Sequence, residues 1–193
     1  MDPLWARGVV LAANVVMVAI RAPHGRRSRS VPVARSLRGR LEAAILTLAW
    51  LTFALTIAWV AGPILPAAEY PLRPEALAAG TAILAAGLWL FHRSHADLGT
   101  NWSITLEVRE GHRLVTGGVY SRIRHPMYAA ILLLGAGQAL ALPNAVVGPS
   151  YGFAILLIVA CRIGPEERML REAFGPEWDA YAARTKRIVP FVW

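Results

Sequence analysis

Cysteine is almost missing from this chain: among 193 residues there is only Cys161. One thiol closes no intramolecular disulfide, so nothing supports an oxidised, disulfide-stapled domain. Set in an apolar run, Cys161 reads as a small packing residue. Charge is scarce as well, with 17% of residues charged against 56% hydrophobic, and mean hydropathy is +0.45. Soluble domains run near 25% charged and about 45–50% apolar, so this balance points to a membrane solvent. Lysine is nearly absent, Lys186 standing alone among twenty Lys and Arg residues. Such an Ala- and Arg-rich composition suggests a GC-rich bacterial gene and hence a bacterial inner membrane. The five histidines are too few for a histidine-rich di-iron membrane oxidase. His92-x-x-His95-x-Asp97 has a metal-like spacing, but interfacial polar residues are the commoner reading, and no metal is expected. There is no Rossmann fingerprint, no internal repeat and no low-complexity segment.

The formal net charge is +8, which fits either nucleic acid or a membrane surface. Placement decides between them. Seven basic residues lie in Arg21–Arg40, five between Arg93 and Arg124 and six between Arg162 and Arg187, while Arg7 and Arg73 stand apart. Basic loops that flank apolar spans mark the cytoplasmic side of a membrane and attract anionic headgroups, so no nucleic-acid partner is expected.

The gaps between charges predict about five transmembrane helices in one all-α domain over residues 1–193. Gly8–Ile20, extended by Leu4 and Trp5, is the first. Its Arg cluster follows the apolar run instead of preceding it, so it reads as an uncleaved helix and not a signal peptide. Ala43–Ala68 is the second, ended by Gly62-Pro63 and Pro66, and Ala76–Phe91 the third. Arg124 and Arg162 then bracket 37 residues without Asp, Glu, Lys or Arg. As one helix these would reach roughly 55 Å, far beyond a ~30 Å hydrocarbon core. Leu142-Pro143-Asn144 and Gly148-Pro149 supply turn chemistry, so two spans joined by a hairpin are expected. Gly164-Pro165 is expected to stop the fifth span and open a separate polar helix. The topology consistent with the charges has the N-terminus outside and the C-terminus cytosolic, with N-terminal spans in 1–92 and the chemistry-bearing half in 93–193.

Two segments at the basic face carry the polar chemistry. In 112-HRLVTGGVYSRIRHPMY-128, Thr116-Gly117-Gly118 reads as a turn and Pro126 as the first residue of a helix. Arg124 and His125 then sit at the positive end of that helix's dipole, flanked by Tyr120 and Tyr128. Local physics alone is satisfied by an interfacial anchor. In 162-RIGPEERMLREAFGPEWDAY-181, Glu166 and Glu167 would occupy a first helical turn, with Glu167 pairing Arg171 at i,i+4 and Gly175-Pro176 ending the helix. Phe174, Trp178 and Tyr181 would lie against the membrane surface or the cytosolic loops.

Taken together, the two segments resemble a family. HRLVTGGVYSRIRHPMY follows the pattern H-x-L-V-x-x-G-x-Y-x-x-x-R-H-P-x-Y. Gly137 and Asn144 come next, then R-x-x-x-E-E-x-x-L-x-x-x-F-G-x-x-W-x-x-Y and Pro190. This pattern resembles the isoprenylcysteine carboxyl methyltransferases and the related phospholipid N-methyltransferases over roughly Leu98 to Pro190. It departs at Ala130, where many members have Gly, and at Asn144-Ala145 in place of Asn-Pro. The resemblance implies S-adenosyl-L-methionine as cofactor, held by His112, Arg113, Leu114, Val115, Tyr120, His125, Pro126, Met127, Tyr128 and Glu167 in a cytosolic helical segment. It implies that Arg162 faces a substrate carboxylate, with Arg162 and Glu167 the catalytic pair. The expected reaction is O-methylation of a lipophilic acid such as an isoprenylcysteine. The alternatives are N-methylation of a phosphatidylethanolamine-type lipid, with Glu166 or Glu167 taking a proton, or a non-catalytic transport or assembly protein. Expected partners are membrane lipids and a lipophilic or prenylated substrate.

Overall fold

The computed structural model describes residues 2–29, 33–36, 39–99, 107–109 and 113–190, of which 26–29, 33–36 and 107–109 are described by their backbone alone. His112 therefore lies outside the described residues. Six helices carry the fold: α1 (Pro3–Arg29), α2 (Arg40–Ala61), α3 (Pro74–Leu98), α4 (Pro126–Ala141), α5 (Val147–Phe174) and α6 (Pro176–Arg184). Two short strands, β1 (Val33–Ser36) and β2 (Glu107–Arg109), pair antiparallel. The helices α1, α2, α3 and α5 contain segments long and apolar enough to cross a membrane. The apolar α4 has 16 residues, about 24 Å at 1.5 Å per residue. The chain is thus a helical membrane protein with one short strand pair. Leu11, Val15, Leu51, Phe153 and Leu156 are more than two-fifths exposed, as expected of side chains facing lipid.

The helices run up and down between two ends. One end gathers the junctions α1–α2 and α3–α4 together with α6. The opposite end holds the α2–α3 and α4–α5 junctions, where the turn Pro66–Ala68 meets Asn144 through a Glu69–Asn144 bridge. At that end Asn144 is fully buried. Its Oδ1 accepts from the N–H groups of Val146 and Val147 at 3.1 and 3.0 Å, and its Nδ2 donates to the Leu65 carbonyl at 3.1 Å. One side chain thereby caps α5 and ties the two hairpins together. α4 is clasped between α3 and α5 through small residues. A Cβ on Gly80 would stand 2.7 Å from the Ala141 nitrogen, and one on Gly135 would stand 2.5 Å from the Gly152 Cα. Such close approach substitutes packing for a hydrophobic force that lipid cannot supply.

The largest departure from expectation is at Gly164-Pro165. α5 does not stop there; it continues as one 28-residue helix with Pro165 inside. Proline forfeits a hydrogen bond and crowds the preceding turn, at about 3 kcal/mol. Tertiary contacts of the last turns offset that cost: Met169 is 3% exposed, and Glu166 and Glu167 bond to residues far away in sequence. α5 ends instead at Gly175, whose φ of +52° is cheap only for glycine. α3 likewise outruns its apolar core and ends at Gly99, φ +58°.

Candidate active site

Continuity through Pro165 decides which acid faces which way. On one helix Glu166 lies about 40° around from Arg162, whereas Glu167 lies about 140° around. Tyr151, Ile155, Ile158, Arg162, Glu166 and Met169 therefore form a single stripe, and all six line one cavity of about 250 Å³. Tyr151 to Leu170 spans about 28 Å of helix axis, so the cavity reaches from deep among the spans to the basic end.

Its basic end is built by the α3–α4 connection and α6. Leu114, Val115, Tyr120, Arg124 and His125 line it from the connection, Met127 and Tyr128 from the first turn of α4, and Trp178 and Tyr181 from α6. The Tyr181 hydroxyl donates to the Tyr120 carbonyl at 2.8 Å, which docks α6 on the 3-10 turn Gly118–Ser121. The same turn is held from α3, where Asp97 Oδ2 accepts from the Val119 N–H at 2.9 Å. Burial pushes the Tyr181 hydroxyl up to about 12. Burial also pushes Tyr120 far above the ordinary tyrosine range, reinforced by the charge of Glu166. Both stay neutral donors at any physiological pH. The Tyr128 hydroxyl donates to Glu166 Oε2 at 2.5 Å, and the His125 ring stacks on Tyr128 with centroids 5.5 Å apart.

The other end is apolar. Met17, Val18 and Phe53 meet Phe91, Ile131 and Ile155 there. Val18 and Trp50 line the cavity yet remain 50% and 63% exposed. The cavity therefore opens sideways between α1 and α2 onto lipid-facing surface. Arg162 stands where the two halves meet. It is 7% exposed, and its Nη2 lies 3.3 Å from Glu42 Oε1 on α2.

Glu167 is elsewhere. It lies outside the cavity lining, and it does not pair with Arg171, which bonds Asp179 at 2.8 Å. Its carboxylate accepts from Arg124 Nε at 3.0 Å and from Arg187 Nη2 at 2.8 Å, and it lies 3.3 Å from His125 Nε2. Arg124 also donates through Nη1 to the carbonyls of Ala182 and Thr185. The segment after α6 is thereby laid beside the start of α4, with the Arg124 and His125 N–H groups donating to Lys186 and Arg187 carbonyls at 2.7 and 2.9 Å. Bonding to Glu167 holds the Arg187 guanidinium above its ordinary value. The carboxylate is the hub of a clamp behind the cavity wall.

Of the residues nominated from sequence, the structure brings Leu114, Val115, Tyr120, His125, Met127, Tyr128 and Arg162 to one cavity. Pro126 is fully buried as the first residue of α4, and Arg113 is exposed outside the lining. Sequence reasoning missed the contributions of Met17, Val18 and Arg21 on α1 and of Glu42 on α2. Nothing in the charge pattern distinguishes Arg21 from the other arginines of the basic stretch Arg21–Arg40. Trp178 and Tyr181, expected against the membrane surface or the cytosolic loops, are each 2% exposed, and Tyr181 docks on the α3–α4 connection; their place in the cavity lining was not foreseen.

Among the described residues, one cavity thus joins a polar, aromatic pocket to an apolar slot that reaches lipid-facing side chains. The model of the "Isoprenylcysteine carboxyl methyltransferase (ICMT) family" matches residues 79–172. Similar proteins include protein-S-isoprenylcysteine O-methyltransferase B of Arabidopsis thaliana, 36% identical over 58% of this chain and 52% of the relative. The cobalt-zinc-cadmium resistance protein CzcN of Cupriavidus metallidurans is 35% identical over 50% of this chain and 45% of its own. Among solved structures, the eukaryotic intramembrane Ras methyltransferase ICMT superposes with a TM-score of 0.56 at 25% identity, covering 78% of this chain and 52% of that one. The family match covers residues 79–172, just under half of the chain. The chain spans about half the length of the relatives it matches.

Proposed function

We propose that the protein is an S-adenosyl-L-methionine-dependent methyltransferase that O-methylates a lipophilic carboxylate, such as an isoprenylcysteine-like acid, at the membrane. The observation that carries this reading is the position of Arg162, at the boundary between the aromatic pocket and the lipid-facing slot of one cavity. The pocket suits the methyl donor. Its aromatic rings Tyr120, Tyr128 and Trp178 can attract a sulfonium, and Glu166 adds a carboxylate beside it. When bound, that donor supplies an electrophilic methyl group on a positively charged sulfur.

The chain's own residues do the rest. A carboxylate acceptor needs no general base; it needs orientation and the removal of water. Arg162 can hold it with two parallel hydrogen bonds, while Ile155, Ile158 and Phe91 exclude water from the slot. Its lipid tail reaches the slot through the opening between Val18 and Trp50, and the polar molecule arrives from the basic end. His125 stacks on Tyr128 and so fixes the pocket wall, and Glu167 acts through the clamp. Basic residues concentrate at the pocket end, which supports placing that end and the C-terminus in the cytosol. Bacterial inner-membrane residence is part of the same reading.

The test is calorimetric titration of S-adenosyl-L-methionine into the protein in lipid nanodiscs, followed by labelled methyl transfer to a prenylcysteine analogue and, separately, to phosphatidylethanolamine. Binding and transfer to the acid are expected, and His125→Ala should weaken binding several-fold. Absence of binding refutes the methyltransferase reading; transfer only to the amine replaces the carboxylate with the phospholipid.

A further inference from the structure

Arg162 by itself does not give the acceptor position a net positive charge. Glu42 is 8% exposed and lies 3.3 Å from it, so the two together are close to neutral. Such a pair orients a guanidinium, because Glu42 holds it through Nη2 and the planar fork turns as one unit. Its long-range attraction for an anion is small, because opposite charges at one place largely cancel in the field beyond them.

A second guanidinium borders the same cavity. Arg21 is one helical turn beyond Met17 and Val18 on α1, and all three line it. Arg21 lines the same cavity as Arg162 and Tyr151, and its charge acts on both. A basic residue near a helix end ordinarily snorkels to water. Here two guanidiniums from separate helices, α1 and α5, face one partly desolvated space, with Glu42 beside Arg162.

We propose that Arg21 is the second anion-holding residue of the acceptor site: a lipid carboxylate is gripped by Arg162 and Arg21 together, with Glu42 positioning Arg162. This deepens the O-methylation reading and rests on it for the identity of the acceptor. Beside Arg162 the two cations outnumber Glu42 by one charge, which suits a monoanionic acceptor, while Glu166 is bonded to Tyr128 on the pocket side. A protonated amine would meet net repulsion. Arg21 lies outside the 79–172 family match, so the N-terminal helices supply selectivity to a site whose core comes from the second half of the chain.

Binding is the readout. N-acetyl-S-farnesylcysteine and its uncharged methyl ester are titrated separately into wild type, Arg21→Gln and Arg21→Lys in nanodiscs, with S-adenosyl-L-methionine affinity measured on each protein. The wild type should prefer acid to ester. Arg21→Gln should shrink that preference about tenfold, the scale of one charge-assisted hydrogen bond, with donor affinity retained; Arg21→Lys should recover most of it. A preference unchanged in Arg21→Gln overturns the proposal. Retained S-adenosyl-L-methionine affinity in both variants guards against misfolding, and the recovery in Arg21→Lys is the second check: a preference that Arg21→Lys fails to recover also overturns the proposal. A wild type that binds the acid but never methylates it refutes the reaction while leaving the two-cation site standing.

Discussion

Replacing Glu167 with glutamine keeps the size of the side chain and removes its charge, so it isolates what the clamp contributes. Glu167 is 14% exposed and Arg124 11%. A hydrogen bond to a charged group is worth about 1.5–3 kcal/mol, and partial exposure places this one near 2 kcal/mol. Arg187 is 37% exposed, so screening limits its pair to about 1 kcal/mol or less. The carboxamide retains one acceptor, yet its other end presents N–H groups to guanidiniums that also only donate. The sum is about 3 kcal/mol, or roughly a hundredfold in an equilibrium. That energy acts on a defined element, the segment after α6 that receives the Arg124 and His125 N–H groups at Lys186 and Arg187. Hydrogen exchange on the protein in nanodiscs should show protection of the Arg124 and His125 amides falling by about two orders of magnitude in Glu167→Gln. Amides in the middle of α3 should hardly change. Cofactor affinity should fall with it, because His125 lines the pocket. If those two amides exchange as in wild type, Glu167 is not the hub of a clamp, and its contact with the cofactor becomes the better account.

Three further outcomes are expected. Arg162→Lys keeps a cation opposite Glu42 but loses the planar two-point grip, so kcat/KM on the prenylcysteine analogue should fall at least about a hundredfold; full activity would reject the role of Arg162. Gly80→Val drives methyl groups into the Ala141 backbone, where even a Cβ would be 2.7 Å away. Overpacking of this kind costs about 1–3 kcal/mol, to be read as a lowered thermal midpoint in detergent, whereas Gly62→Val, with open space around it, should be near neutral. In a Cys161→Ala background, membrane-impermeant thiol reagents should label Arg122→Cys and Ala145→Cys from opposite sides of the membrane. Labelling of both from one side would contradict the up-and-down arrangement.

Composition and spacing alone determined the solvent, the helical class and the residues around the pocket mouth. The reason is that membrane insertion depends on long uncharged runs, and the H-P-x-Y and Glu-Glu spacings are local patterns any reader of the chain can see. Helix ends were legible where a residue has no alternative: Pro126 at the start of α4, Gly175 with its positive φ at the end of α5. What tertiary structure decided begins at Pro165. Local rules end the helix there, and packing of the final turns carries it through. That one continuity rotates Glu166 into the cavity lining and Glu167 away from it, toward Arg124 and Arg187. Arg21 and Glu42 were likewise invisible in sequence. Each sits in or beside a basic stretch whose ordinary place is the headgroup layer, and only the packing of the helices sets Glu42 beside Arg162 and Arg21 on the lining of the same cavity. Periodicity reports which residues share a helix face; which neighbour that face meets is set by close approach at Gly80, Gly135 and Asn144, whose partners Ala141, Gly152 and Leu65 lie on other elements of the chain.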